Sequence, residues 1–264
     1  MLHDDYRSPK SGEFGYGVDK TLNMTTTHPT WRCEMMKMLS CCLLAALVAA
    51  PLAAADNELT DEEKQAGWML LFNGKDHTGW KCNNGKEIAT PIEDGAIVPY
   101  KSGGYIVIHE KEFGDFILKC DVKWEAQSCN SGIFFRVENP KDPVNTGFEI
   151  QVMSGDGTGK HQFGAIYDLK ATTKNAGKET GEWNSVEIKC KGPQMSVTLN
   201  GELVCEMNCD DYDKPGICPD GGKHKYKLGG EPRIVKDFAR KGYLGFQDHG
   251  QKVWYKNVKL LELK

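Results

Sequence analysis

The chain has 264 residues, with 33 Lys plus Arg against 37 Asp plus Glu, a formal charge of −4 and a pI near 6.0. Apolar residues at 39% and aromatics at 9% are enough to fill a core, which excludes wholesale disorder. The slight acidity gives no electrostatic reason to expect nucleic acid as a partner, and 29 Gly favour turns and strands over a helical bundle.

Lys37 precedes the apolar run from Met38 to Val48; Pro51 breaks it, and Ala53-Ala54-Ala55 stands before Asp56. A basic start, a short apolar middle and small residues at −3 and −1 predict a secretory signal peptide over 35–55, cut near Ala55. Such a run is too short to span a bilayer, so no membrane span is expected after cleavage. Residues 1–34 read as the product of an upstream start codon, or else as a real disordered extension. The expected mature domain is 56–264, periplasmic or extracellular, and it keeps the charge of −4 because residues 1–55 carry five basic and five acidic residues. Its seven Cys (82, 120, 129, 190, 205, 209 and 218) allow at most three bridges in an oxidising compartment and leave one thiol free.

The one helix signal is Thr60-Asp61-Glu62-Glu63-Lys64, where Thr60 can cap and Glu63 holds the capping-box position. Beyond it the period is two. Short strands are expected at 69–72, 96–99 and 104–108. A clear one follows, in which Phe116, Leu118, Cys120, Val122 and Trp124 alternate with polar neighbours. Further strands are expected at 131–137, 147–153, 185–190, 195–199, 203–205, 243–248 and 252–262, with Asn200-Gly201 as a hairpin turn. Many short antiparallel strands predict an all-β, two-sheet jelly-roll sandwich with a short N-terminal helix. Cys120 and Cys190 fall on apolar faces, so a core thiol pair and an inter-sheet bridge are both open. The segment 208–240, rich in Asp, Pro, Gly and Lys, reads as a long surface excursion, either functional or merely solvated.

Candidate chemistry follows from side-chain alternation. Glu149 and Gln151 share one strand face, giving an acceptor and an amide suited to hydroxyl recognition. Gly132, Phe134 and Arg136 alternate onto one face, which would let Arg136 meet Glu149 across strands, although such a pair is also an ordinary surface contact. Gln247, Asp248 and His249 stand at a strand end, where His249 is either an acid–base group or a turn residue. Trp183 either stacks on a sugar ring or plugs one end of the core. No GxSxG, P-loop or HExxH motif is present.

Several ordered motifs, Gly67-Trp68, Leu71-Phe72-Asn73-Gly74-Lys75, Gly79-Trp80 and Ser131 to Arg136, resemble the 3-keto-disaccharide hydrolase family. The similarity continues through Phe148 to Val152, Gly164-Ala165-Ile166-Tyr167, Gly181 to Asn184, Leu199-Asn200-Gly201, Gly245 to Gly250 and Val253 to Val258. Two departures stand out: Phe148 replaces a usual tyrosine, and the rich cysteine content together with the insertion around 208–227 is unusual. The resemblance implies a concanavalin-like jelly roll, export, and cleavage of glycosides whose sugar carries a ketone at C3. Arg136, Glu149, Gln151, Asp248 and His249 are the matched site candidates.

A C3 ketone acidifies the C2 proton, so a base can remove it and the C1 aglycone can leave; water then adds. The expected roles are His249 or Glu149 as base and Arg136 as enolate stabiliser, with Gln151, Trp183, Asp248 and Gln247 binding substrate. A divalent cation such as Ca²⁺, held by Glu149 and Asp248, is the alternative to Arg136. The other functional class open to this sequence is a non-catalytic carbohydrate-binding module on the same sandwich.

Overall fold

The computed structural model describes residues 55–264 apart from 154 and 156. The expected extension and all but the last residue of the expected leader lie outside the described residues. Thr60 accepts the Glu63 N–H and Glu63 accepts the Thr60 N–H, so the expected capping box opens helix α1 (Asp61–Gln65).

Thirteen strands follow among the described residues. The first seven are β1 (Met69–Leu70), β2 (Trp80–Cys82), β3 (Ile106–Phe113), β4 (Phe116–Trp124), β5 (Asn130–Val137), β6 (Phe148–Met153) and β7 (Asn184–Lys191). Then come β8 (Gln194–Leu199), β9 (Glu202–Asn208), β10 (Lys227–Leu228), β11 (Glu231–Pro232), β12 (Gly242–Gln247) and β13 (Val253–Glu262). The first sheet runs β1-β13-β4-β7-β8-β9 and the second β2-β3-β12-β5-β6, all antiparallel. Two such sheets packed face to face make the jelly-roll sandwich that the alternation predicts.

The core lies between them. Phe116, Leu118, Cys120, Val122 and Trp124 of β4 are buried while their alternates are half-exposed. They join Ile133 and Phe135 of β5, Phe148, Ile150 and Val152 of β6, and Phe246 of β12. Each such side chain contributes about 2–3 kcal/mol of burial. Asn200 and Gly201, at φ +50° and +83°, form the expected tight turn between β8 and β9.

Two expectations change. Residues 96–99 make only isolated bridges, Ala96 with Glu93 and Ile97 with Tyr255, because a turn at Asp94-Gly95 leaves them no continuous partner. The segment 208–240 is not a solvated excursion: Tyr212, Cys218, Tyr226, Val235 and Phe238 are buried in the main core. β5 and β6 are buried on both faces, and the segment reaches the outer side of β6 through Lys225, 3.1 Å from Glu149.

Among the described residues the cysteines form no bridge; all seven there are buried free thiols. Cys120 pairs in register with Val186 and Cys190 with Phe116, so both lie on the first sheet, four positions apart. That spacing is about 13 Å, beyond the reach of a disulfide. Burial pushes the Cys190 thiol up to about 12 and the Cys205 thiol up to about 11. Native protein of residues 56–264 should therefore react slowly with a chromogenic disulfide reagent, and unfolding in guanidinium should release seven titratable thiols. Rapid reaction of several thiols in the native state would contradict this burial.

Candidate active site

Glu149 and Gln151 point outward from β6, on the side of the second sheet away from the core, yet both are buried at 4% and 2% exposure. Gly132 makes room for the carboxylate: a Cβ there would stand 2.5 Å from Glu149 Oε1. The edge of β6 is extended by residues 164–167, since Gln151 N–H donates to Ala165 O, Gly164 N–H to Gln151 O and Tyr167 N–H to Glu149 O. This edge pairing brings Tyr167 to the carboxylate and Asp168 to the backbone of Lys225. Asp168 accepts the backbone N–H of Lys225 at 2.5 Å and pairs with His161 Nε2 at 3.1 Å.

Lys225 closes the group. Its Nζ lies 3.1 Å from Glu149 Oε2 and 3.9 Å from the centroid of the Tyr167 ring. Burial pushes the Glu149 carboxyl above its ordinary 4.5, and the charges of Lys225, His249 and His161 oppose that shift. The Tyr105 and Tyr167 hydroxyls are both raised, by burial first and then by the charge on Glu149. Around one buried carboxylate the fold thus gathers two phenols, an ammonium and two imidazoles. A buried carboxyl raised above its ordinary pKa, within reach of several donors, is equipped for proton transfer to and from a polar ligand.

The expected residues divide. Gln151 donates to Asn130 Oδ1 at 2.7 Å, and Gln247 donates to the Tyr105 hydroxyl at 2.6 Å. Phe246 pairs with Ile133, which sets the next position, Gln247, beside Gly132 on the Glu149 side. His249 is exposed at the rim, near enough for its charge to act on Glu149. Asp248 is turned away: its carboxylate accepts the N–H groups of Lys101 and Gly250 and so fixes the turn.

Arg136 does not meet Glu149. Its φ is +49°, and the β5–β12 register shifts between Tyr243 and Gly245, so a bulge interrupts the alternation. Phe134 and Val137 then share the outer cluster, while Arg136 turns to Gly114 O, Gly192 O and Asp115 with its side chain fully buried. Glu149 is instead opposite Phe134. Trp183 also lies elsewhere: Lys123 and Lys256 sit over its ring at 4.8 and 4.4 Å, on the outer face of the first sheet. The divalent site that is the alternative to Arg136, at Glu149 and Asp248, does not fit this donor set, because Asp248 is committed to its turn and Lys225 occupies Glu149. Among the described residues no three His, Cys, Asp or Glu side chains group to hold a metal ion.

Sequence reasoning missed Lys225, Tyr105, Tyr167, His161 and Asp168. None belongs to an alternating run, and Lys225 lies 76 residues from the carboxylate it pairs with. Gly132 carries a prediction. Gly132→Ala would push the Glu149 carboxylate aside, lowering any turnover that uses it by about 100-fold. The Tm should fall by no more than a few degrees, measured by thermal unfolding beside steady-state kinetics; unchanged turnover would show that Glu149 placement does not matter.

Fold and site together describe a jelly-roll domain of the kind found among glycosyl hydrolases. The chain belongs to the 3-keto-alpha-glucoside-1,2-lyase-like domain family, whose model matches residues 67–261. It is 24% identical over 233 residues to a 3-keto-disaccharide hydrolase of Bacteroides thetaiotaomicron, covering 74% of this chain and 78% of that protein. A candidate glycosyl hydrolase of Parabacteroides distasonis, solved by crystallography, superposes with a TM-score of 0.64 at 31% identity, covering 80% of this chain and 100% of that one. A second from the same organism gives 0.60 at 26% identity, with coverage of 74% and 99%.

Proposed function

We propose that the protein is an exported carbohydrate-active enzyme that cleaves the glycosidic bond of 3-keto-glycosides or disaccharides. The observation that carries this reading is the buried Glu149 carboxylate, raised above its ordinary pKa and surrounded by hydroxyl, amide and cationic groups. In the proposed reaction Glu149 takes the C2 proton. The C2–H electron pair forms the C2–C3 double bond, and the carbonyl electrons move to the C3 oxygen. Collapse of the enolate breaks the C1–O bond, and the aglycone leaves with its electron pair and gains a proton. Water then adds across C1 and C2, returning the proton to C2, so the net change is hydrolysis. The words lyase and hydrolase in the names of the family and of its relative both suit this sequence of elimination and hydration.

Gln151 and Gln247 lie beside Glu149 and are the proposed hydroxyl partners of the sugar; His249 at the rim and His161, held by Asp168, are the groups available to protonate the aglycone. The test is incubation of residues 56–264 with para-nitrophenyl 3-keto-α-glucoside and with the parent glucoside. Release of nitrophenol from the keto sugar alone is expected. Binding of both sugars with turnover of neither would favour the non-catalytic carbohydrate-binding module.

A further inference from the structure

We infer that Lys225, delivered by the 208–240 segment, is the cation that stabilises the enolate oxygen in the reaction proposed above, the role that the sequence assigns to Arg136. This rests on that reaction, and it adds a specific group to it.

The structure removes the expected electrophile and supplies another. Arg136 is sealed against Asp115 and two carbonyls, whereas Lys225 stands at the carboxylate itself. Lys225 is the outer member of its pair, with a side chain 29% exposed against 5% for Glu149, so an entering sugar meets the ammonium first. Its position is fixed from three sides. Asp168 holds its backbone N–H at 2.5 Å, and the rings of Tyr167 and Tyr226 lie 3.9 and 5.6 Å from its Nζ. Tyr226 is itself fully buried, with its hydroxyl donating to Tyr167 O at 3.3 Å, so the segment that carries Lys225 is anchored directly behind it.

Charge accounting explains why one ammonium serves both ends of the step. Before the reaction the negative charge is on Glu149. When Glu149 takes the C2 proton it becomes neutral, and the same unit of charge appears on the C3 oxygen of the substrate. A cation already within hydrogen-bonding distance of the base needs only to shift its bond from carboxylate to enolate, with no new charge brought into the site. Lysine suits this better than a rigid guanidinium fork, because its three donors rotate about one compact centre.

The test follows enolisation apart from aglycone departure. Methyl 3-keto-α-glucoside, a poor leaving-group substrate, is incubated in deuterated buffer and exchange of its C2 proton is read by NMR for wild type, Glu149→Gln, Lys225→Met and Lys225→Arg. Lys225→Met is expected to lower kcat for exchange by about 10²–10³-fold, the usual loss for one preorganised donor, with KM changed little. Lys225→Arg is expected to recover part of the rate, and all four proteins to show similar thermal unfolding. If Glu149→Gln abolishes exchange while Lys225→Met retains wild-type kcat, Lys225 is not the enolate partner and the base assignment stands. Exchange in Lys225→Met that a chelator abolishes would give the role to a bound cation. No exchange in wild type, or full exchange in Glu149→Gln, overturns the proposed reaction and this inference with it.

Discussion

Glu149→Gln is expected to lower kcat/KM for para-nitrophenyl 3-keto-α-glucoside by about 10³-fold at pH 7, within the range general-base groups contribute. The amide keeps the size of the side chain and a hydrogen bond towards Lys225, so substrate binding should change little and the loss should fall on kcat. The wild-type pH profile carries the same assignment. A base must be ionised to act, and burial raises the Glu149 carboxyl, so the acid limb of kcat/KM should lie above the ordinary 4.5. Removing the Lys225 charge, which opposes that shift, should move the limb to still higher pH. A variant retaining more than about a tenth of wild-type activity would exclude Glu149 as the base. Stability obeys the matching sign. With its folded pKa raised, the Glu149 contribution is present below pH 4.5 and lost as the pH rises through the folded value.

Arg136→Met should act on stability and not on chemistry. The guanidinium is fully buried and serves Gly114 O at 3.1 Å, Gly192 O at 2.9 Å and Asp115 at 2.8 Å, the last of which also accepts the Gly192 N–H. It therefore ties the β3–β4 turn to the β7–β8 turn, and the two sheets to each other. Removing it leaves two carbonyls and a carboxylate without their donor, a loss of about 3 kcal/mol once the partial exposure of Asp115 is allowed for. In a domain of this size that is a fall in Tm of roughly 10 °C. Turnover per folded molecule should stay near wild type. An unchanged Tm with lost turnover would restore Arg136 to the active site.

These two residues show where sequence pattern is and is not sufficient. The β4 alternation, the Asn200-Gly201 hairpin and the Thr60 capping box are local physics, and each reads directly from neighbouring residues. Glu149 and Gln151 share a face because β6 is regular. Arg136 broke the same rule because one residue in the left-handed region shifts the period, and nothing in Phe134-Phe135-Arg136-Val137 announces a bulge. Trp183 failed differently: the choice between the two outer faces depends on which sheet its strand joins, a global fact. Lys225 was invisible because its placement comes from Tyr212, Tyr226 and Phe238 docking onto the core, and their spacing follows no period.

The placement of β13 has a consequence for how the chain is made. The last strand lies between β1 and β4, with Leu260 opposite both Met69 and Leu118. Until residues 253–262 emerge from the ribosome, β4 has an unpaired edge and β1 has no partner at all. The nascent chain must hold an apolar, edge-exposed sheet until β13 is synthesised, the state in which β proteins meet other chains and aggregate. Loss of residues 253–264 would therefore remove an interior strand of the first sheet and leave the β4 edge unpaired.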